Sequence, residues 1–295
     1  AQPVPIADGP AARLQWLSYA PSGGRYQPLE PVTREEIRRD LALLAARTGC
    51  VRTYTVSDGF DQVPAVAREL GLQVILGAWI GREAEHNEKE VALVIDVANR
   101  HRDTIRAIVV GNEVMLRHEL PPDQLAALIR RVGAATGLPV TYADVWGFWV
   151  KHRVLSEAVS FVTVHIIPYW DDDPVGIDAV IPYVDDLYAQ MQRQFPGKEV
   201  LIGETGWPSQ GRQREGAVPG RVNQARFVRG FVALAKMQAG SKPGIQKMMP
   251  DVQLSGDGKE VAISFAVTNE MLDAFEAARE MGEKMKQLEK NAPRP

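Results

Sequence analysis

An α/β barrel is the fold class this sequence predicts, and three observations predict it. Apolar, β-branched runs alternate seven times with polar segments of helical period. Nearly every run ends in a polar or aromatic residue, as barrel strands do where they open onto a shared mouth. The 295-residue length also suits one barrel, which takes roughly 250 residues. A doubly wound open sheet is the alternative, but it gathers its polar residues at one switch point after a glycine fingerprint. No G-x-G-x-x-G follows the first run, and no G-x-x-x-x-G-K-[ST] occurs. The reading is therefore a (β/α)8, TIM-barrel type fold with its eighth βα unit missing or replaced by an atypical hairpin-plus-helix tail.

In chain order, the predicted strands are LQWLSYA (14–20), CVRTYTV (50–56), QVILGAWI (73–80), IRAIVVGNE (105–113), PVTYADV (139–145), FVTVHIIPYW (161–170) and EVLIGETGW (199–207). Their β-branched and aromatic content is that of parallel strands buried on both faces. Helices are predicted between them at TREEIRRDLALLAART, VPAVARELG and PPDQLAALIRRVGAATG. The first opens with a capping box, Thr33 to Glu36, and the third has prolines near its start. After GRVNQARFVRGFVALAKMQ an eighth apolar strand is due, and it does not come. Instead DVQLSGDGKEVAISFAV reads as a hairpin around Ser-Gly-Asp-Gly. Met271, Phe275, Ala278, Met285 and Leu288 then fall at the spacing of an amphipathic helix. The domain reading is a barrel over 1–238 and an atypical segment over 239–295, with EVAISFAV the best candidate for a substitute strand.

Composition narrows the function. At 45% hydrophobic and 24% charged, with a net charge of -3, the chain has no basic field to hold a phosphate backbone, so nucleic acid is not expected as a partner. No apolar run approaches the roughly 18 to 20 residues of a membrane span. Cys50 lies in an apolar run and reads as a core thiol rather than a catalytic one. The start, AQPVPIADGP, reads as a processed or trimmed amino terminus.

Two carboxylates, Glu113 in IVVGNEV and Glu204 in VLIGETGWP, each end an apolar strand soon after a glycine. One strand-end Glu is ordinarily a solvated or salt-bridged acid, but two in matching places point to paired chemistry. On the fourth and seventh strands of a barrel they converge across the mouth. Carboxyl groups about 5 to 5.5 Å apart are the arrangement of a retaining glycosidase, with one nucleophile and one acid/base. The rings of Trp79, Trp146, Trp149, Tyr169, Trp170 and Trp207 fall at or just after strand ends, where they would stack on sugar faces. Tyr19, Arg52, Tyr54, Asp144 and His165 end strands as well and join the candidate substrate-binding set. His86, His101, His118 and His152 read as solvated residues of helices or loops. No metal is expected: no H-E-x-x-H or paired cysteines occur, and Asp171, Asp172 and Asp173 before Pro174 read as a helix-capping loop.

GNE at 111–113 and GETGWPS at 203–209 resemble the two signature strands of glycoside hydrolase family 17, the β-1,3-glucanase and glucanosyltransferase family. With VRTYTV, ILGAWIGRE, VTYADVWGFW and HIIPYWDDDP, the resemblance covers residues 13–238 and is closest to bacterial members, some fused to membrane glucan synthases. It implies that Glu113 is the general acid/base, that Glu204 is the nucleophile, and that Asn112 bonds the sugar 2-hydroxyl. The expected activity is hydrolysis of, or transfer within, a β-glucan, without cofactor, by a monomer in the periplasm or outside the cell. The alternatives are a noncatalytic glucan-binding protein and a scaffold acting through the tail. Glu113 is expected to have the higher pKa of the pair, raised by the Glu204 charge, with Arg52, Tyr169 or His165 holding Glu204 ionised. The glycines beside the acids are expected to leave room for a sugar ring.

Overall fold

The computed structural model describes residues 16–20, 30–240, 253–255 and 262–264. Seven parallel strands form one sheet in the order of the chain: β1 Leu17–Ser18, β2 Cys50–Arg52, β3 Gln73–Ala78, β4 Ile105–Asn112, β5 Val140–Val145, β6 Val162–His165 and β7 Val200–Glu204. Sequential order with parallel pairing throughout is the topology of a (β/α) barrel, here a partial one. The strands are shorter than the runs that announce them. In β2, β4, β6 and β7, predicted carboxyl-terminal residues lie beyond the strand, at the end where the site is built.

The helices between strands are α1 Arg34–Ala45, α2 Val63–Glu69, α3 Ala84–Arg100, α4 Pro122–Thr136, α5 Trp146–Lys151, α6 Val154–Ala158 and α7 Val180–Gln194, and α8 Arg221–Gly240 follows β7. The capping box at α1 is formed: the Thr33 hydroxyl accepts from the Glu36 N–H, and the Glu36 carboxylate accepts from the Thr33 N–H. Pro122 opens α4, and Gly137, at φ 65°, closes it.

The core lies on both sides of the sheet. Ile108, Val109 and Val110, successive residues of β4, are all buried and so cover both faces, which is why this run is continuously apolar rather than alternating. Ile37 and Leu41 of α1 and Leu125 and Ile129 of α4 supply helix-side packing. Cys50 is half-buried at the start of β2, where loss of solvation pushes its thiol up to about 12, so it stays protonated.

The sheet is curled, and one contact proves it. Five strand steps separate β2 from β7, which would span roughly 24 Å in a flat sheet. Yet Arg52 of β2 lies 3.3 Å from Glu204 of β7. No arginine side chain bridges the flat distance, so the strand ends must converge.

In the chain beyond α8, β8 Gln253–Ser255 pairs antiparallel with β9 Ala262–Ser264 in a two-stranded sheet of its own. That second strand lies within EVAISFAV. The amphipathic helix expected around Met271 to Leu288 lies outside the described residues.

Candidate active site

The site is built at the carboxyl ends of β2, β4, β6 and β7. Successive residues of a regular strand point to opposite faces. Asn112 and Glu113 nevertheless both reach the cleft, since Gly111 and Glu113 adopt φ of 85° and 55° and the β4–β5 register shifts between Val109 and Asn112. A left-handed Glu costs about 1 to 2 kcal/mol. The Glu113 N–H is fixed in that conformation by a 2.7 Å bond to the Ala143 carbonyl.

His165 stands between the two acids. Its Nδ1 is 2.9 Å from Glu113 Oε1 and its Nε2 3.5 Å from Glu204 Oε1, and the ring is fully buried. Glu204 Oε1 also accepts from the Tyr54 hydroxyl at 2.9 Å and from Arg52 Nη1 at 3.3 Å. Arg52, 2% exposed, donates through Nη2 to Asn112 Oδ1 at 2.6 Å and through Nη1 to the Gly203 carbonyl at 3.3 Å. With its oxygen held by Arg52, Asn112 keeps its NH2 for a ligand. Burial first, and then the Glu204 charge, push the Tyr54 phenol above its ordinary range, so it remains a donor.

Glu113 departs from the expected titration. The hydrogen bond from His165 holds its carboxyl below the usual value, assisted by the charges of Arg117 and Arg52 and opposed by burial. The sequence shows the neighbouring carboxylate but not the imidazole inserted between the two acids, and the imidazole wins. A depressed folded-state pKa stabilises the protein above the unfolded value, and the contribution is lost as pH falls through the folded one. Glu113→Gln should therefore flatten the acid side of the stability curve, as read by denaturant unfolding at a series of pH values.

Carboxylate oxygens of Glu113 and Glu204 and a nitrogen of His165 lie within 4.8 Å of one another, so a divalent ion has three possible ligands there. Arg52 and Tyr54, however, already direct a guanidinium and a hydroxyl proton at the same Glu204 oxygen. That surrounding suits an anionic carboxylate next to a polyol better than a cation.

The rings divide into two groups. Trp79 at 36% and Trp170 at 50% exposure are open, and Trp146 is half-buried with its N–H donated to Asp171. The Arg117 guanidinium lies 4.3 Å from the Trp79 ring, cladding one face. Tyr169 and Trp207 pack edge-on at 5.8 Å and are buried, their polar atoms bonded to Arg212 and Val218 carbonyls. Tyr169 therefore does not serve Glu204, and Trp207 supports Tyr169 instead of walling the cleft.

Six further expectations are corrected. Trp149 is fully buried on α5, bonded to the Thr163 carbonyl at 2.9 Å and packed against Tyr142 and Phe195, so it is a core ring. Asp144 is fully buried and accepts from Tyr142, Met115 and Val145, leaving it occupied by its own chain. Tyr19 is buried with its hydroxyl on Asp40 of α1, away from the acids. Gly203 does not make room for sugar either: an added Cβ would meet Thr163 Cγ2 at 2.5 Å and His165 Cδ2 at 3.1 Å. Asp171 does not cap a helix but accepts from Trp146 and Tyr183, tying the loop after β6 to α5 and α7. His86 and His101 each bury one ring nitrogen without a hydrogen-bond partner, rather than lying wholly in solvent.

Residues 17–248 match the BtgE/BtgC glycoside hydrolase domain. The chain belongs to that family. It is of the family 17 type, as the GNE and GETGWPS motifs imply. The chain is 31% identical over 189 residues to a glucan 1,3-beta-glucosidase of Schizosaccharomyces pombe, covering 58% of this chain and 59% of that protein. A glucan 1,3-beta-glucosidase of Candida albicans is 26% identical over 217 residues, 66% of this chain and 70% of its own length. The chain thus spans about three fifths to seven tenths of these relatives. Among solved structures, an active-site mutant of Rhizomucor miehei beta-1,3-glucanosyltransferase in complex with laminaritriose superposes with a TM-score of 0.68 at 26% identity, covering 76% of this chain and 82% of that one.

Two side chains in the architecture around the site were not anticipated from the sequence. Arg117 donates to the Asn112 and Ile80 carbonyls and to Glu119, joining the mouths of β3 and β4. Glu90, on α3, is fully buried. The signal for Glu90 is legible afterwards: with Asn87, Val91, Val94 and Val97 it occupies the buried stripe of its helix, where a carboxylate is out of place.

Proposed function

We propose that the protein cleaves or transfers β-1,3-linked glucan by a retaining double displacement. The carrying observation is that carboxylate oxygens of the two strand-end acids lie within 4.8 Å of each other, which fits the near pairing of about 5 to 5.5 Å between carboxyl groups that retention uses rather than the wider one of inversion. Glu204, oriented by Arg52 and Tyr54, attacks the anomeric carbon. Glu113 protonates the departing oxygen and then deprotonates the acceptor. In the open cleft Glu113 is ionised. It takes up its proton as a bound sugar excludes water, because desolvation is the influence that raises it. Asn112 offers its NH2 to the 2-hydroxyl of the reacting sugar.

Trp79, Trp146 and Trp170 provide the open rings for stacking. The acceptor side, around Trp146 and Trp170, sets whether water or a sugar hydroxyl resolves the glycosyl enzyme. The relatives' names support β-1,3-glucan as substrate. A glucan of that kind places the protein outside the cytoplasm, in the periplasm or beyond, acting as a monomer. No helix among the described residues is long and apolar enough to cross a membrane.

Mass spectrometry of products from linear β-1,3-gluco-oligosaccharides tests the reading. Shorter products are expected from hydrolysis and longer or branched ones from transfer, in either case unchanged by a chelator. A folded protein that binds these oligosaccharides without yielding products would instead be a glucan-binding barrel.

A further inference from the structure

The α3 helix places a carboxylate where no charge is needed for packing. Glu90 is fully buried, and its Oε1 accepts from the Thr55 hydroxyl at 2.6 Å, the Val56 N–H at 2.9 Å and the Trp79 N–H at 3.0 Å. Its Oε2 accepts from the Ser57 hydroxyl. All four donors are neutral groups, and together they fill most of the acceptor sites a carboxylate owns. One turn earlier, Asn87 bonds both the N–H and the carbonyl of Gly81. Through Glu90 and Asn87 the inner face of α3 thus holds the loops that leave β2 and β3.

Those two loops hold site residues. Tyr54 immediately precedes the Glu90-bound segment 55–57, and its hydroxyl donates to Glu204. Trp79 is bound to Glu90 through its own backbone, with Arg117 against its ring. A burial this costly is sustained only when every lone pair is used. Here two of the four bonds come from backbone N–H groups, one in the loop after β2 and one in the loop after β3.

We infer that Glu90 is a positioning residue for the reacting subsite, setting the Tyr54 hydroxyl on Glu204 and the Trp79 ring at the cleft through a single buried carboxylate. This deepens the glycosidase reading of Glu204 and rests on it. Glu90→Gln retains an oxygen for the three Oε1 bonds and presents an NH2 to Ser57, whose hydroxyl can turn and accept. Glu90→Ala loses all four bonds.

The test compares Glu90→Ala, Glu90→Gln, Tyr54→Phe and the Glu90→Ala/Tyr54→Phe double variant. Glu90→Ala is expected to lower kcat/KM on linear β-1,3-gluco-oligosaccharides by on the order of 10- to 100-fold. Glu90→Gln should recover most of that loss. The double variant should fall less far below Tyr54→Phe than Glu90→Ala falls below the parent, because the Tyr54 part of the loss is shared and only the Trp79 part remains. A second readout needs no turnover: the Tyr54 13Cζ resonance, which senses the hydrogen bond to Glu204, should move in Glu90→Ala toward its position in Glu204→Ala, where the acceptor is gone. Losses that multiply in the double variant, or a Tyr54 resonance unmoved in folded Glu90→Ala, overturn the inference. If Glu90→Ala does not fold, Thr55→Val with Ser57→Ala removes two donors while keeping Glu90, and the same resonance decides. An inactive parent would count against the proposed reaction, while the resonance still decides the role of Glu90.

Discussion

Glu204→Gln is expected to lower kcat/KM on linear β-1,3-gluco-oligosaccharides by at least about 10³-fold with the fold intact, because the amide cannot form the glycosyl ester. It keeps an oxygen for the Tyr54 and Arg52 donors, so thermal unfolding should move by only a few degrees. Stereochemistry separates the two acids. With azide, Glu204→Ala should give an α-azide from a β-linked donor by one inversion. Glu113→Ala acting on an aryl β-glucoside should give a β-azide by two, because Glu204 still attacks first. The opposite pair of outcomes would exchange the two roles.

Arg52→Met carries the second large effect, and it falls on stability and activity together. The guanidinium is buried and serves Glu204, Asn112 and the Gly203 carbonyl, contacts made across β2, β4 and β7. Methionine fills much of the volume but satisfies none of them. Removing one partner from a largely buried charged network costs about 3 kcal/mol, here shared with a Glu204 that still reaches water. Denaturant unfolding should show that loss. The residual folded protein should turn over roughly 10²-fold more slowly, since both Glu204 and Asn112 lose orientation. An Arg52→Lys variant should not restore it, because one ammonium cannot reproduce two separately directed Nη donors.

The strands were legible because burial on both faces leaves an unbroken apolar run, which composition alone reveals. The strand ends were less so. Side-chain direction there depends on backbone turns such as φ 55° at Glu113, and a sequence shows which residues end a strand without showing where each points. Glu113 and Glu204 were found because carboxylates stand out against apolar runs. Trp149 was misplaced because WGFW, which follows a strand end, is a short helix that turns its second tryptophan inward. Tyr169 failed as a partner of Glu204 for a similar reason: its hydroxyl is drawn to Arg212, in a loop more than forty residues away in sequence. The titration of Glu113 depended on His165, a ring contributed by another strand, and no local pattern could set that distance.

The curl of the sheet also fixes when this site can exist. Arg52 meets Glu204 across 152 residues of chain, and His165 reaches Glu113 across 52. During synthesis, the first acid is made before its chemical partner, and Arg52 waits through 152 residues of chain for the carboxylate it holds. Until residue 204 has emerged and the seventh strand has docked, the nascent chain carries a cleft of unmatched polar groups and cannot act on glucan. On the proposed function, gain of activity would follow docking of the seventh strand rather than the appearance of the catalytic residues.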